Sequence, residues 1–214
     1  MATRPVFEVI DEAPFYRTVN VDFVWNRGLN INQKRKNVAA IHEAYNSIFP
    51  DKRVLEISSK SLQAEGLPLS AFALEKFVPS LNKRLTVEKL YQGGKVFENG
   101  GPYLDMYEGT SRQAKRDERL HNSGRVKSFY YDGHTYSVEH CDAFYNWLYI
   151  NALLENEELS KPLLEYDAFT DVAFTPTKGT SCQAKSAAIF VALSRNNMLS
   201  EVGEFDKFVR AVYK

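Results

Sequence analysis

The chain predicts a helix-rich α+β domain with a small antiparallel sheet, and three observations carry that expectation. Short runs of strand character fall in the first half, helical periodicity dominates the second, and one Asp-Gly turn signal joins two β-rich runs. With 214 residues, 44% of them hydrophobic and 13% aromatic, the chain can bury a substantial core. No low-complexity linker or internal repeat divides it, so residues 1–214 are expected to form one domain.

In chain order, Val19, Val21, Phe23 and Trp25 alternate with polar residues, the period of a half-buried strand. Asn32 is expected to cap a helix that carries Val38, Ile41, Tyr45 and Ile48 on one face and stops before Pro50. Residues 53–57 read as a short strand entering the turn Ser58-Ser59-Lys60-Ser61. Residues 86–97 are helix-compatible, although Gly93-Gly94 costs a helix about 1 kcal/mol per glycine and signals an early end or a close approach. Residues 126–131 and 134–138 form a hairpin signal, because Asp132-Gly133 suits the positive φ angles of a tight turn. Beyond it, helices are expected over 140–155, 158–165, 181–199 and 202–213.

Composition narrows function. The 27 basic and 27 acidic residues cancel, so overall charge does not announce a nucleic-acid binder. Cys141 and Cys182 cannot make a disulfide framework, and His42, His121, His134 and His140 are scattered. No metal site and no cofactor are therefore expected. The N-terminus lacks the apolar run of a signal peptide and nothing approaches a membrane span, which predicts a soluble cytoplasmic protein.

The most informative stretch is 86–97. If helical throughout, it places Glu88 and Lys95 within roughly 20° of each other around the axis, with Gln92 on the same stripe. Such a stripe can be an ordinary wet face. Leu90, Tyr91, Val96 and Phe97 surround it with bulky apolar groups, and a partly buried stripe is chemically useful. Charge is also uneven. Residues 111–127 hold Arg112, Lys115, Arg116, Arg119, Arg125 and Lys127 against Asp117 and Glu118, a net +4. Arg112, Lys115/Arg116 and Arg119 on one helix face would suit phosphate, or would be a solvated face. Residues 155–171 hold six acids against Lys161, a net −5. Among these, Asp167 and Asp171 are spaced i, i+4 between apolar groups and can stabilise positive charge, take a proton, or cap a helix. Residues 175–181, Thr-Pro-Thr-Lys-Gly-Thr-Ser, lead into an apolar helix as a possible phosphate cradle, with Thr180 or Ser181 as its cap. No P-loop, dinucleotide fingerprint, nucleophile elbow or kinase signature is present.

In order along the chain, these pieces resemble the NADAR family. Glu88, Gln92 and Lys95 match its E-x-x-x-Q-x-x-K segment, and Ser111-Arg112-Gln113-Ala114-Lys115 with Gly124-Arg125 is similar to its P-x-x-A-K…G-R stretch. Leu55-Glu56-Ile57-Ser58-Ser59-Lys60-Ser61 and Tyr166-Asp167-Ala168-Phe169 most resemble the subgroup accompanying DarT-type DNA ADP-ribosyltransferase toxins. The resemblance covers about 55–195, ending in Leu193-Ser194-Arg195.

The resemblance implies an N-glycosidase that removes ADP-ribose from guanine in DNA and so acts as an antitoxin. More distant relatives imply hydrolysis of small N-ribosyl metabolites of riboflavin synthesis, and a non-catalytic toxin-binding antitoxin is a third reading. Glu88 is then the carboxylate opposing the charge that builds on C1′, and Lys95, with Lys60 as runner-up, the amine that attacks it. Asp167 or Asp171 would orient ribose hydroxyls or activate water. Arg112, Lys115 and Arg125 would hold the pyrophosphate, with Ser58, Ser59, Tyr91, Gln92 and Ser181 completing the substrate contacts. The chain departs from the family pattern in two places. Neither Asp171-Val172-Ala173 nor Asp167-Ala168-Phe169 has the Trp-Gly that follows the late aspartate in many relatives. Cys182-Gln183-Ala184 stands where many have Asn-x-Leu-Gly.

Overall fold

An unbroken buried run, Pro5 to Val9, marks the centre of the molecule's main sheet. In the computed structural model, which describes residues 1–213 with the side chain of Lys178 excepted, this run lies in β1 (Ala2–Val9). It pairs antiparallel with β2 (Tyr16–Phe23), an edge strand with half of its residues exposed. The helix α1 (Ile31–Asn46) follows, and then β3 (Val54–Glu56), buried throughout. The hairpin β4 (Glu75–Val78) and β5 (Lys83–Thr86) leads directly into α2 (Val87–Gly93) and β6 (Lys95–Phe97). Two short helices, α3 (Ser111–Lys115) and α4 (Arg119–Asn122), precede the hairpin β7 (Val126–Tyr131) and β8 (His134–Tyr136). Then come α5 (Ala143–Leu154), α6 (Glu157–Ser160), β9 (Ala168–Thr170), α7 (Gln183–Arg195) and α8 (Phe205–Val212).

The architecture is α+β. The main sheet has strand order β2-β1-β9-β3 and is mixed rather than antiparallel, because β9 runs antiparallel to β1 but parallel to β3. The antiparallel expectation holds for the β6-β7-β8 sheet and the β4-β5 hairpin. Helix α1 covers one face of the main sheet, where Val38, Ile41 and Tyr45 pack on Val6, Val21 and Ala168. Helix α7 covers the other face, backed by α5, which is buried at almost every position. A helix apolar on all sides belongs between layers.

The Asp132-Gly133 turn forms as expected, with both residues at positive φ. Three local expectations give way. Asn30, not Asn32, caps α1, its side chain accepting from the Gln33 amide, and Ile48 is exposed beyond the helix end. The basic face over 112–119 is split between α3 and α4, and Arg119 is occupied by Asp105 and Asp117. Neither Thr180 nor Ser181 caps α7, whose N-cap position is Cys182.

Candidate functional site

The site begins at α2. Thr86 accepts a hydrogen bond from the Lys89 amide at the start of this helix, and Glu88 lies in its first turn, where the helix dipole favours a carboxylate. The helix stops at Gly93, so Lys95 is a strand residue of β6 and not the next member of a helical stripe. Crowding explains the stop. A Cβ on Gly94 would lie 2.4 Å from the Tyr130 carbonyl oxygen of β7, and one on Gly93 would lie 2.7 Å from the Tyr107 ring. Gly94 thus lets β7 dock while Gly93 admits the Tyr107 ring, and the turn brings Lys95 back to the helix.

The three residues still meet. Gln92 Nε2 donates to Glu88 Oε1 at 2.7 Å, while Lys95 Nζ donates to Gln92 Oε1 at 2.7 Å. Lys115 from α3 places its Nζ 3.1 Å from the same Glu88 oxygen. Glu88 is 3% exposed, so this carboxylate is buried beside an ammonium group, with a neutral amide between it and a second one. Lys95 also lies 4.6 Å from the centre of the Tyr91 ring, and the Tyr91 hydroxyl meets Ser181 Oγ at 2.9 Å. Burial, and next the charge of Lys115, lower the Lys95 pKa to about 8, against the opposing pull of Glu88.

A second cluster stands where β3 and β9 end side by side. Glu56, fully buried, accepts from Ser58 Oγ at 2.6 Å, from Thr170 Oγ1 at 2.6 Å and from the Val172 amide at 2.9 Å. Thr170 meets His42 Nε2 of α1 at 3.0 Å, and burial drops the His42 pKa to about 4, keeping its imidazole neutral. Among the described residues no lysine or arginine lies within ion-pair distance of Glu56. Burial and then the charge of Asp171 push its pKa upward. Asp171 is raised by burial too, while its bond from the Ala173 amide, the charge of Lys60 and a bond from Gln183 act against that rise.

Gln183 joins the clusters. Its Nε2 donates to Asp171 Oδ2 at 3.0 Å and also to the Ile57 carbonyl, while its Oε1 accepts from the Ala71 amide at 2.7 Å. The Ala71 carbonyl in turn accepts from the Glu88 amide at 2.9 Å. Tyr145 of α5 is influenced by both clusters: burial, first of all, and then the charges of Glu88, Tyr149, Cys182 and Asp171 raise its pKa well above the ordinary value.

The structure therefore brings together Glu88, Tyr91, Gln92, Lys95, Lys115 and Ser181 on one side, and Ser58, Lys60 and Asp171 on the other. Ser59 is exposed beside Lys60. Arg112 is exposed on the helix that delivers Lys115, and Arg125 is exposed at the start of β7. Asp167 and Asp171, expected as a neighbouring pair, lie at opposite ends of β9. Asp167 accepts from the Arg53 amide at 3.0 Å and sits near Lys52 and Arg195, away from the two clusters. In the 175–181 segment, Lys185 Nζ already binds the Thr180 carbonyl at 3.1 Å and Asp142 at 2.8 Å; the Lys178 side chain lies outside the described residues. Glu56, Thr170, Gln183 and Tyr145 were not anticipated. A glutamate between Leu55 and Ile57 was the available signal for the first of them.

Among the described residues no group of His, Cys, Asp and Glu could hold a metal ion, and no helix is long and apolar enough to cross a membrane. A family model described as "DarT1-associated NADAR antitoxin" matches residues 2–214. The chain belongs to that family. No curated protein matches it.

Proposed function

Proceeding from that membership, we propose that the chain is an N-glycosidase that removes ADP-ribose from guanine in DNA and thereby reverses the action of a DarT1-type toxin. The observation that carries this reading is a buried carboxylate, Glu88, joined through Gln92 to a half-buried amine, Lys95, in a chain that matches an antitoxin family over nearly its whole length.

The chemistry follows from these positions. As the bond from ribose C1′ to the guanine nitrogen breaks, its electron pair leaves with the base and positive charge grows on C1′ and the ring oxygen. Glu88 opposes that charge. Lys95 is the nucleophile, since an amine with its pKa near 8 is partly uncharged at neutral pH and can attack C1′ to form a transient imine on the opened sugar. Water then adds to the imine carbon, releasing ADP-ribose and restoring the amine. Asp171, beside Lys60, orients the ribose hydroxyls or activates that water. Arg112, Lys115 and Arg125 supply positive charge for the pyrophosphate.

Mass spectrometry of a guanine-ADP-ribosylated single-stranded oligonucleotide tests this. Wild type is expected to restore the unmodified mass and folded Glu88→Gln to leave the adduct in place. An adduct untouched by wild type sinks the reading in favour of small N-ribosides or direct toxin binding. Borohydride reduction during turnover is expected to attach ADP-ribose covalently to wild type but not to Lys95→Ala.

A further inference from the structure

The strand directions of the main sheet bring a distant surface to the edge of the site. Strand β1 is antiparallel to both β2 and β9, so the end of β2 at Phe23 and the end of β9 at Thr170 point the same way. Arg4 of β1 spans the gap. Its Nε donates to the Val172 carbonyl, next to Asp171, at 3.5 Å, and its guanidinium lies 5.1 Å from the centre of the Trp25 ring. Lys34 Nζ lies 5.3 Å from the same ring.

Trp25 is held rather than loose. Its ring packs on Phe23 at 5.9 Å, and the next residue, Asn26, is clamped by fully buried Asn37, whose side chain accepts from the Asn26 amide at 2.7 Å and donates to its carbonyl at 3.0 Å. Around it the chain is one-sided in charge. Residues 24–36 contain Arg27, Lys34, Arg35 and Lys36 and no acid, in a protein whose total charge is zero. With Arg4 that makes five cations, and among the described residues none is within ion-pair distance of a carboxylate.

We propose that this Trp25 corner docks single-stranded polynucleotide, holding the nucleotides that flank the modified base while the ADP-ribose enters the Glu88–Asp171 site. The inference rests on the reading above, that the substrate is attached to DNA. Unpaired cations beside an aromatic ring are what a single strand needs, phosphates taking the charge and bases the ring face. Exposed Val24, Leu29 and Ile31 extend the surface for unstacked bases. Arg112 and Arg125, neither of them ion-paired among the described residues, are left for the pyrophosphate.

A labelled, unmodified oligothymidylate is the probe for the surface itself. Wild type is expected to bind it with an affinity that falls with salt, and Arg35→Glu/Lys36→Glu, at two exposed positions, to bind roughly ten-fold more weakly with a shallower salt slope. The same variant should lose a similar factor in kcat/KM on the modified oligonucleotide while cleaving ADP-ribosylated guanosine at the wild-type rate. Trp25→Ala should lose the salt-independent part of the binding. Equal oligothymidylate affinity in wild type and the double variant overturns the proposal, as does a toxin complex that the double variant abolishes while oligonucleotide binding is unchanged. Wild type that binds oligothymidylate through these residues yet cleaves neither adduct leaves the surface standing and sinks the glycosidase reading.

Discussion

Glu88 and Glu56 are both buried carboxylates, and the protein neutralises them in different ways. Glu88 has an ammonium group at 3.1 Å and an amide that leads to a second one. Glu56 has two hydroxyls and a backbone amide, with its pKa pushed upward by burial and by Asp171. A carboxylate set among cations occupies a place where the protein already balances charge against charge. One matched by neutral donors ties segments of chain together instead. Through its three bonds Glu56 joins the turn carrying Lys60 to the end of β9 carrying Asp171. Under the proposed function, chemistry belongs to the first and scaffolding to the second.

The largest expected effect separates these roles. Glu88→Gln should lower turnover by about 10³-fold while the circular dichroism spectrum and thermal midpoint stay close to wild type, because a preorganised charge is lost and little packing. A comparable loss of turnover in folded Glu56→Gln would break the contrast.

Next in size is stability. Glu56→Ala strands Ser58, Thr170 and the Val172 amide, and should cost roughly 3 kcal/mol in urea unfolding. The pH dependence sharpens the assignment. Because the Glu56 pKa is raised on folding, the folded chain holds more protons than the unfolded one from pH 4.5 upward, so stability falls as pH rises through that window. Asp171 adds a fall of the same sign. Thermal midpoints between pH 5 and 8 should therefore decline in wild type and decline less in Glu56→Gln.

A smaller effect concerns Lys95. Turnover should rise with pH around 8 as Lys95 loses its proton. The charge of Lys115 lowers that pKa, so Lys115→Met should move the rising limb to higher pH. A limb that stays in place would show that another group sets it. Smallest is Asp167→Asn, which should cost at most about 1 kcal/mol, because its cation partners are partly exposed and lie 3.7 to 4.0 Å away, and leave turnover unchanged.

Legibility in the sequence divides along the same line. Glu88, Gln92 and Lys95 fall within eight residues, so one window exposed them, even though the helix ends early where Gly94 admits β7. The Asp132-Gly133 turn and the α1 face of Val38, Ile41 and Tyr45 were likewise local. Glu56 was not, because Thr170 and Val172 reach it from 114 and 116 residues away. Gln183 lies 112 residues from Ala71. The mixed sheet has the same cause, since β9 inserts between β1 and β3 from late in the chain. Asp167 and Asp171 were indistinguishable by type and spacing, and only the intervening strand separates them.

Single-turnover cleavage of the guanine-ADP-ribosylated oligonucleotide by wild type, Glu88→Gln and Glu56→Gln, measured side by side with each protein's unfolding curve, tests the contrast most directly. The account predicts that chemistry disappears only in folded Glu88→Gln, while Glu56→Gln keeps most of its rate and changes its pH-dependent stability. Full cleavage by Glu88→Gln, or loss of cleavage confined to folded Glu56→Gln, would contradict it.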